Sequence, residues 1–201
     1  MPPDKVIIID NSAGRLKEQP FIPTWHAFGN ITMIQAVRNL GCAASWNMFM
    51  GMAPNDDSEY MTLISNDDVT MEQDTIKTIW DAYIAHPEVV LFHGTGKNGY
   101  SLFATRKSAW SAVGGFDEKF YPAYYEDNDY SRAIVSRGYL FHCMDTLTYG
   151  HVGSATLATY TPEEQKQHHR QQQANQAYYI AKWGGLPHRE VFQYPFNRPI
   201  A

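Results

Sequence analysis

The sequence predicts an α/β protein, a single domain with a mostly parallel central sheet flanked by helices. Three observations predict it. Short apolar, often β-branched runs recur along the chain; segments with helical spacing fall between them; and acidic groups stand where strands end. The 201 residues, 44% hydrophobic and 14% aromatic, suffice for one sizeable core. A charged fraction of 18% is low for a disordered chain.

The first run, "KVIIID" (5–10), reads as a buried strand that stops at the turn "NSAG". Residues 15–29, with two prolines and scattered aromatics, read as an irregular loop, and "ITMIQ" (31–35) as a second strand. "NLGCAASWNMFMGMA" (39–53) favours a helix through its Ala and Met content. "EYMTLIS" (59–65) is a third strand running into "NDD". The segment 70–87 has Ile76, Ile79, Trp80, Tyr83 and Ile84 at helical spacing, Thr70 and Gln73 as a capping box, and Pro87 beyond its end. "EVVLFH" (88–93) and "YSLFATR" (100–106) read as strands, and "KSAWSAVGGF" as a short helix with a glycine stop. "EDNDYSRAIVSRG" (126–138) is a helix ended by Gly138, "YLFHCM" (139–144) a strand, and Pro162–Trp183 a polar helix followed by an extended tail with three prolines.

The net charge of −5 excludes a global basic field for gripping nucleic acid. No apolar run approaches a membrane span, and no basic-then-apolar leader opens the chain, so a cytoplasmic setting is expected. Cys42 and Cys143, the only cysteines, make neither a disulfide framework nor a zinc ribbon and read as buried thiols.

In open α/β sheets, ligands bind beyond the carboxyl ends of the strands. Asp10 closes the first strand; Asn66, Asp67 and Asp68 close the third; Glu126, Asp127 and Asp129 open a helix. Carboxylates at a helix start satisfy free N–H groups and suit the helix dipole. That accounts for one or two of these acids but not for three groups. Oxygen ligands delivered together after a strand suit Mg²⁺ or Mn²⁺, with substrate phosphates completing the shell; an ordinary Asx turn is the other reading.

The stretch from Val113 to Thr156 resembles the C-terminal half of the catalytic domain of family 2 glycosyltransferases, which have the GT-A fold. The residues that carry the resemblance are Gly114, Gly115, Phe116 and Asp117, then Glu126, Asp127, Asp129, Arg132, Gly138 and Tyr139, then His151, Gly153 and Ser154. "VIIIDNSAG" is similar to the family's second strand with its aspartate, "NLGCAASWN" to the segment before the metal-binding strand, and "NDD" falls at the family's DxD motif. The resemblance covers roughly residues 5–156. It departs at the start, where the family's first strand and its nucleotide-binding turn have no counterpart, and at Asn66, which replaces the first aspartate of the motif.

The resemblance implies a GT-A catalytic domain over 1–161, with the helix and tail of 162–201 packed on it. It implies an inverting, hexosyltransferase-type enzyme that moves a sugar from a nucleoside diphosphate sugar, a UDP-sugar first, to a hydroxyl acceptor, with Mn²⁺ or Mg²⁺. Asp127 would be the general base, with Glu126 beside it or bonded to the acceptor sugar. Asp68, with Asn66 and His151, would hold the metal. Asp10, Asn11 and Asp67 would bind the donor nucleotide, Asp10 by accepting a pyrimidine N3–H or else by simply forming the turn. Gly114, Gly115, Tyr125 and Trp110 would face the acceptor; the glycines equally suit a helix C-cap, and the aromatics equally suit packing. Asp129 would cap its helix or pair with Arg132. Two further readings stay open. One is a nucleotidyltransferase, for which "NSAGR" is a poor phosphate loop. The other is a non-catalytic sugar- or nucleotide-binding module of the same fold.

Overall fold

The computed structural model describes residues 3–12, 30–94, 96–153 and 157–199. The loop read at 15–29 and Ser154 lie outside these.

The strands form where the apolar runs placed them. β1 (Val6–Asp10) pairs in parallel with β2 (Ile31–Gln35), from Val6 opposite Ile31 to Asp10 opposite Gln35. Four further strands make a second sheet in the order β3 (Thr62–Ser65), β6 (Leu102–Thr105), β5 (Val89–Gly94), β7 (Leu140–Met144). β6 is antiparallel to both its neighbours, while β5 and β7 are parallel. Thus β3, β5 and β7 run in one direction and release the chain at the same edge. β6 alone runs against them, so the sheet is mixed.

Alternation along the central strands buries both faces. Ile64, Leu91 and Phe103 pack with Trp46 and Met50 of α1 (Gly41–Met52) and with Tyr130 and Ile134 of α4 (Glu126–Ser136). Phe92, Leu102 and Ala104 pack on the other face with Ile79 and Tyr83 of α2 (Thr75–Ala85). α3 (Lys107–Val113) ends at Gly114, whose φ of +85° makes it a left-handed cap. α5 (Pro162–Trp183) starts on a capping box between Thr161 and Glu164 and buries Tyr179 and Trp183 against Phe120 and Ala133.

One helix starts later than its pattern suggested. α2 begins at Thr75, not Thr70, and the capping box at Thr70 and Gln73 does not form. Val69–Met71 instead makes β4, paired antiparallel with β8 (Tyr149–His151), and Thr70 lies opposite Gly150. Tertiary pairing to a segment some eighty residues away has overridden a local helix-start signal.

α5 is held to the start of α4 by a buried ionic cluster. Lys182 Nζ donates to Asp117 Oδ2 at 2.7 Å and to Asp129 Oδ2 at 2.9 Å. Trp183 Nε1 donates to Asp129 Oδ1 at 2.8 Å. Asp129 is therefore neither a helix cap nor the partner of Arg132, whose Nη2 donates to the Phe192 carbonyl at 2.7 Å. Burial pushes the Asp129 carboxyl up, and Lys182 and Trp183 hold it back only in part. Replacing Asp129 by Ala leaves Lys182 with Asp117 alone and strands the indole N–H. Urea unfolding should show a loss of about 1–3 kcal/mol, whereas Asp127→Asn, two residues away, should leave stability unchanged or raise it.

Candidate active site

The chain enters α4 through Tyr124 and Tyr125, both in the left-handed region at φ of +78° and +76°. Asn175 of α5 holds this entry, its Nδ2 donating to the carbonyl of Ala123 at 2.9 Å and, at 3.3 Å, to those of Tyr121 and Tyr124. With Asp129 taken by Lys182, the acids left at the helix start are Glu126 and Asp127. Glu126 is only 5% exposed, and its Oε2 is buried with no hydrogen-bond partner. Burial, then the neighbouring Asp127, raise its pKa to about 8. Asp127 is half-buried, and its Oδ1 accepts the Asn128 N–H at 2.8 Å. Burial also raises the Asp127 carboxyl, against the pull of that N–H and of His93. With its pKa at about 8, Glu126 carries a proton near neutral pH.

Two residues of this site were not anticipated from the sequence. Cys42, in the first turn of α1, lies within electrostatic reach of the Glu126 carboxyl. Burial pushes its thiol well up, and the charges of Glu126, Asp127 and Asp67 add to that. His93, near the end of β5, lies within electrostatic reach of Asp127. Its ring stacks between Tyr100 and Phe141, with centroids at 5.4 and 5.7 Å, and its Nδ1 lies 2.6 Å from the Gly94 carbonyl oxygen. Burial lowers its pKa, the Gly94 carbonyl and Asp127 opposing.

The second acidic station is assembled by the ribbon of β4 and β8. Pairing His151 opposite Val69 brings the imidazole to Asp68, with Nε2 at 3.0 Å from Oδ1. Asp68 Oδ2 accepts the Gly153 N–H at 3.1 Å. His151 Nδ1 is buried without a partner. Asn66 is anchored by its N–H, which donates to the Ser101 carbonyl at 2.8 Å. Asp67 is exposed, and its charge reaches Cys42. Gly94, ending β5, lies against the Tyr149 ring: a Cβ there would stand 2.6 Å from the hydroxyl. The stations around positions 68 and 127 therefore flank the same carboxyl edge of β3 and β5. Among the described residues, no group of three or more His, Cys, Asp and Glu gathers as a metal cluster.

The remaining predicted residues are engaged elsewhere. Asp10 is 2% exposed; Oδ1 accepts the Ser12 N–H at 2.7 Å and Oδ2 the Gln35 amide at 3.2 Å. Burial raises its carboxyl, but these bonds outweigh it and the pKa is lowered. Of the two readings of Asp10, the turn-forming one is present in the structure. Asn11 ties β1 to α1, donating to Ser45 Oγ at 2.6 Å and accepting the Leu40 N–H at 3.2 Å. Gly114 and Gly115 cap α3, and Trp110 Nε1 donates to Asn47 Oδ1 at 3.0 Å. Tyr125 turns to α5, its hydroxyl accepting from Gln176 at 2.7 Å. Gly114 and Gly115 line a hollow of about 440 Å³ with Asp117, Asp129 and Lys182, and neither Glu126 nor Asp127 lies on its wall. Of the four residues expected at the acceptor, Tyr125 directly precedes the acid pair, while Gly114 and Gly115 line this separate hollow.

The raised pKa of Glu126 makes stability depend on pH. Below pH 4.5 the carboxyl is protonated in both states; between 4.5 and about 8 only the unfolded chain ionises; above about 8 both do. The folded state therefore loses stability as pH rises through that window, by an amount on the order of a few kcal/mol. Glu126→Gln should melt near wild type at pH 4.5 and above it at pH 8 in paired thermal scans.

No family model matches the sequence. Over 67 residues, 33% of this chain, it is 34% identical to a galactofuranosyl glycosyltransferase of Leishmania donovani, covering 15% of that protein. The fold is similar to that of the mannosyltransferase PcManGT from Pyrobaculum calidifontis, solved in complex with GDP-Man and Mn²⁺. The TM-score is 0.59 at 14% identity, over 72% of this chain and 47% of that one. The chain thus spans less than half the length of either protein, and it has the α/β fold of a known glycosyltransferase.

Proposed function

We propose that this chain is a metal-dependent, inverting glycosyltransferase of the GT-A type that moves a sugar from a nucleoside diphosphate sugar to a hydroxyl acceptor. The observation that carries the proposal is the presence of two stations at one sheet edge: the Glu126–Asp127 pair on one side and the Asp68–His151 pair on the other. In the reaction, the acceptor oxygen bonds to the anomeric carbon while the bond from that carbon to the diphosphate oxygen breaks, its electron pair leaving with the diphosphate. Asp127 takes the acceptor proton. Glu126, neutral near pH 7, is left to donate a hydrogen bond to an acceptor hydroxyl.

Asp68 and His151 would hold Mn²⁺ or Mg²⁺, with Asn66 beside them. The donor set fits such an ion: one carboxylate oxygen and one imidazole nitrogen lie 3.0 Å apart, and the second imidazole nitrogen is unpartnered. When bound, the cation supplies positive charge to the departing diphosphate. Asp67, exposed beside Asp68, would meet the donor.

The donor base is read as uracil first, although the Asp10 carboxylate expected to accept its N3–H is buried and already accepts from Ser12 and Gln35. Guanine, with two adjacent ring and amino donors, is the second reading, and GDP-Man in the structural neighbour favours testing it. Galactofuranosyl and mannosyl, the sugars named in the two similar proteins, are the first groups to try.

Thermal-shift and calorimetric titrations with UDP- and GDP-sugars, with and without Mn²⁺, test this. We expect binding to need the metal and to lose that dependence in Asp68→Asn. Asp127→Asn should bind donor normally and transfer about 10³-fold more slowly. Metal-independent binding with no transfer to any acceptor would instead make the chain a binding module.

A further inference from the structure

Two consecutive residues other than glycine in the left-handed region are rare, because each Cβ there crowds its own backbone. Tyr124 and Tyr125 are such a pair, with φ of +78° and +76°, and Glu126 and Asp127 follow at once. Strain of this kind persists only where the surroundings hold it, and the carbonyls of the loop show what does. Each of those from Tyr121 to Tyr125 has a partner. The Pro122 carbonyl accepts the Cys42 N–H at 2.8 Å, and the Tyr125 carbonyl accepts the Asp129 N–H at 2.8 Å, a bond that opens α4. The carbonyls of Tyr121, Ala123 and Tyr124 converge on one atom, Asn175 Nδ2, at 3.3, 2.9 and 3.3 Å. Neighbouring carbonyls point apart in an extended chain, so Ala123 and Tyr124 share a donor only because left-handed Tyr124 turns the backbone between them. Asn175 is 2% exposed, and its Oδ1 accepts Gln171 Nε2 at 3.3 Å, so both ends of the amide are committed.

We propose that Asn175 is a positioning residue: by collecting three carbonyls it keeps Tyr124 and Tyr125 left-handed, and so sets where Glu126 and Asp127 stand on the first turn of α4. This deepens the transferase reading and rests on it for the role of Asp127. The task suits asparagine. Aspartate has the same size but would turn an acceptor toward three acceptors, and glutamine carries its donors one methylene further out. The other contacts of α5 with Tyr125 hold its side chain rather than its backbone. Gln176 donates to the Tyr125 hydroxyl at 2.7 Å, and the Tyr179 ring lies 5.5 Å from that of Tyr125.

The test compares the full chain with Asn175→Asp, alone and combined with Tyr124→Gly, since glycine takes left-handed backbone without the Cβ penalty. Residue-resolved amide hydrogen exchange reads the helix start without turnover. Loss of the donors should speed exchange of the Asp129 N–H by about tenfold, with α2 and β5 unchanged. Calorimetric titration of the donor with Mn²⁺ should give wild-type affinity, while kcat for transfer falls about 10²-fold at unchanged donor KM. Adding Tyr124→Gly should bring both exchange and kcat back toward wild type. A merely structural role predicts a lower melting temperature with kcat per folded molecule unchanged. That result overturns the proposal, as do wild-type exchange at Asp129 and a Tyr124→Gly chain that recovers nothing. If Asn175→Asp does not fold, Asn175→Gln, which displaces the donors, is read in the same way. Faster exchange at Asp129, recovered by Tyr124→Gly, in a protein whose wild type transfers no sugar leaves the positioning role intact and overturns the transferase reading.

Discussion

Lys182 lies between Asp117 and Asp129, and the geometry of the acidic helix start depends on that one ammonium group. Its two carboxylate contacts, at 2.7 and 2.9 Å, join the turn after α3, the first turn of α4 and the last turn of α5. Tyr178 adds its hydroxyl to Asp117 at 2.9 Å, and Trp183 its indole N–H to Asp129. Such a cluster is expensive to desolvate and is weak as a source of net stability. Its effect is on arrangement. It sets aside one of three acids for structure and leaves the charge of Asp127 near enough to raise the carboxyl of Glu126.

The division of labour among the carboxyls follows from surroundings, not from sequence order. Asp129 faces a lysine and an indole. Asp127 accepts a helix N–H, and Glu126 is buried beside the charge of Asp127, which outweighs the bonds that favour its ionised form. Three similar side chains within four positions thereby carry three different tendencies to hold a proton.

Much of the fold was legible because it is written locally. The strands at 6–10, 31–35, 89–94 and 140–144 and the helix at 162–183 follow from apolar runs, spacing and caps. β4 and β8 were not legible: each has three residues, too few for a period, and each exists only through the other. That same pairing is what carries His151 to Asp68. The acids of the site stood out as strand-end and helix-start clusters, but their partners did not. Lys182 and Trp183 lie more than fifty residues from Asp129, with no pattern linking them. Cys42 and Cys143 read as buried thiols, but Cys42 is half-buried and Cys143 exposed, and the nearness of Cys42 to Glu126 could not be seen. His93 had one usable signal, its place at the carboxyl end of a strand, where the acids alone had been sought. Tyr125 and Trp110 were read as facing an acceptor or as packing, and in the structure their polar atoms meet Gln176 and Asn47.

α1 touches every part of this arrangement. Ser45 takes Asn11 from the end of β1, Cys42 donates its backbone N–H to the Pro122 carbonyl, Asn47 holds the turn at Phe116 through bonds of 2.8 Å to its N–H and carbonyl, and the Met50 carbonyl accepts from Lys107. A helix advances about 1.5 Å and turns about 100° per residue. The spacing of these four anchors is therefore ruled by one rod, and inserting a single residue between Cys42 and Asn47 would swing part of them by about a quarter-turn relative to the rest. Length along α1 is thus the least negotiable dimension of the protein.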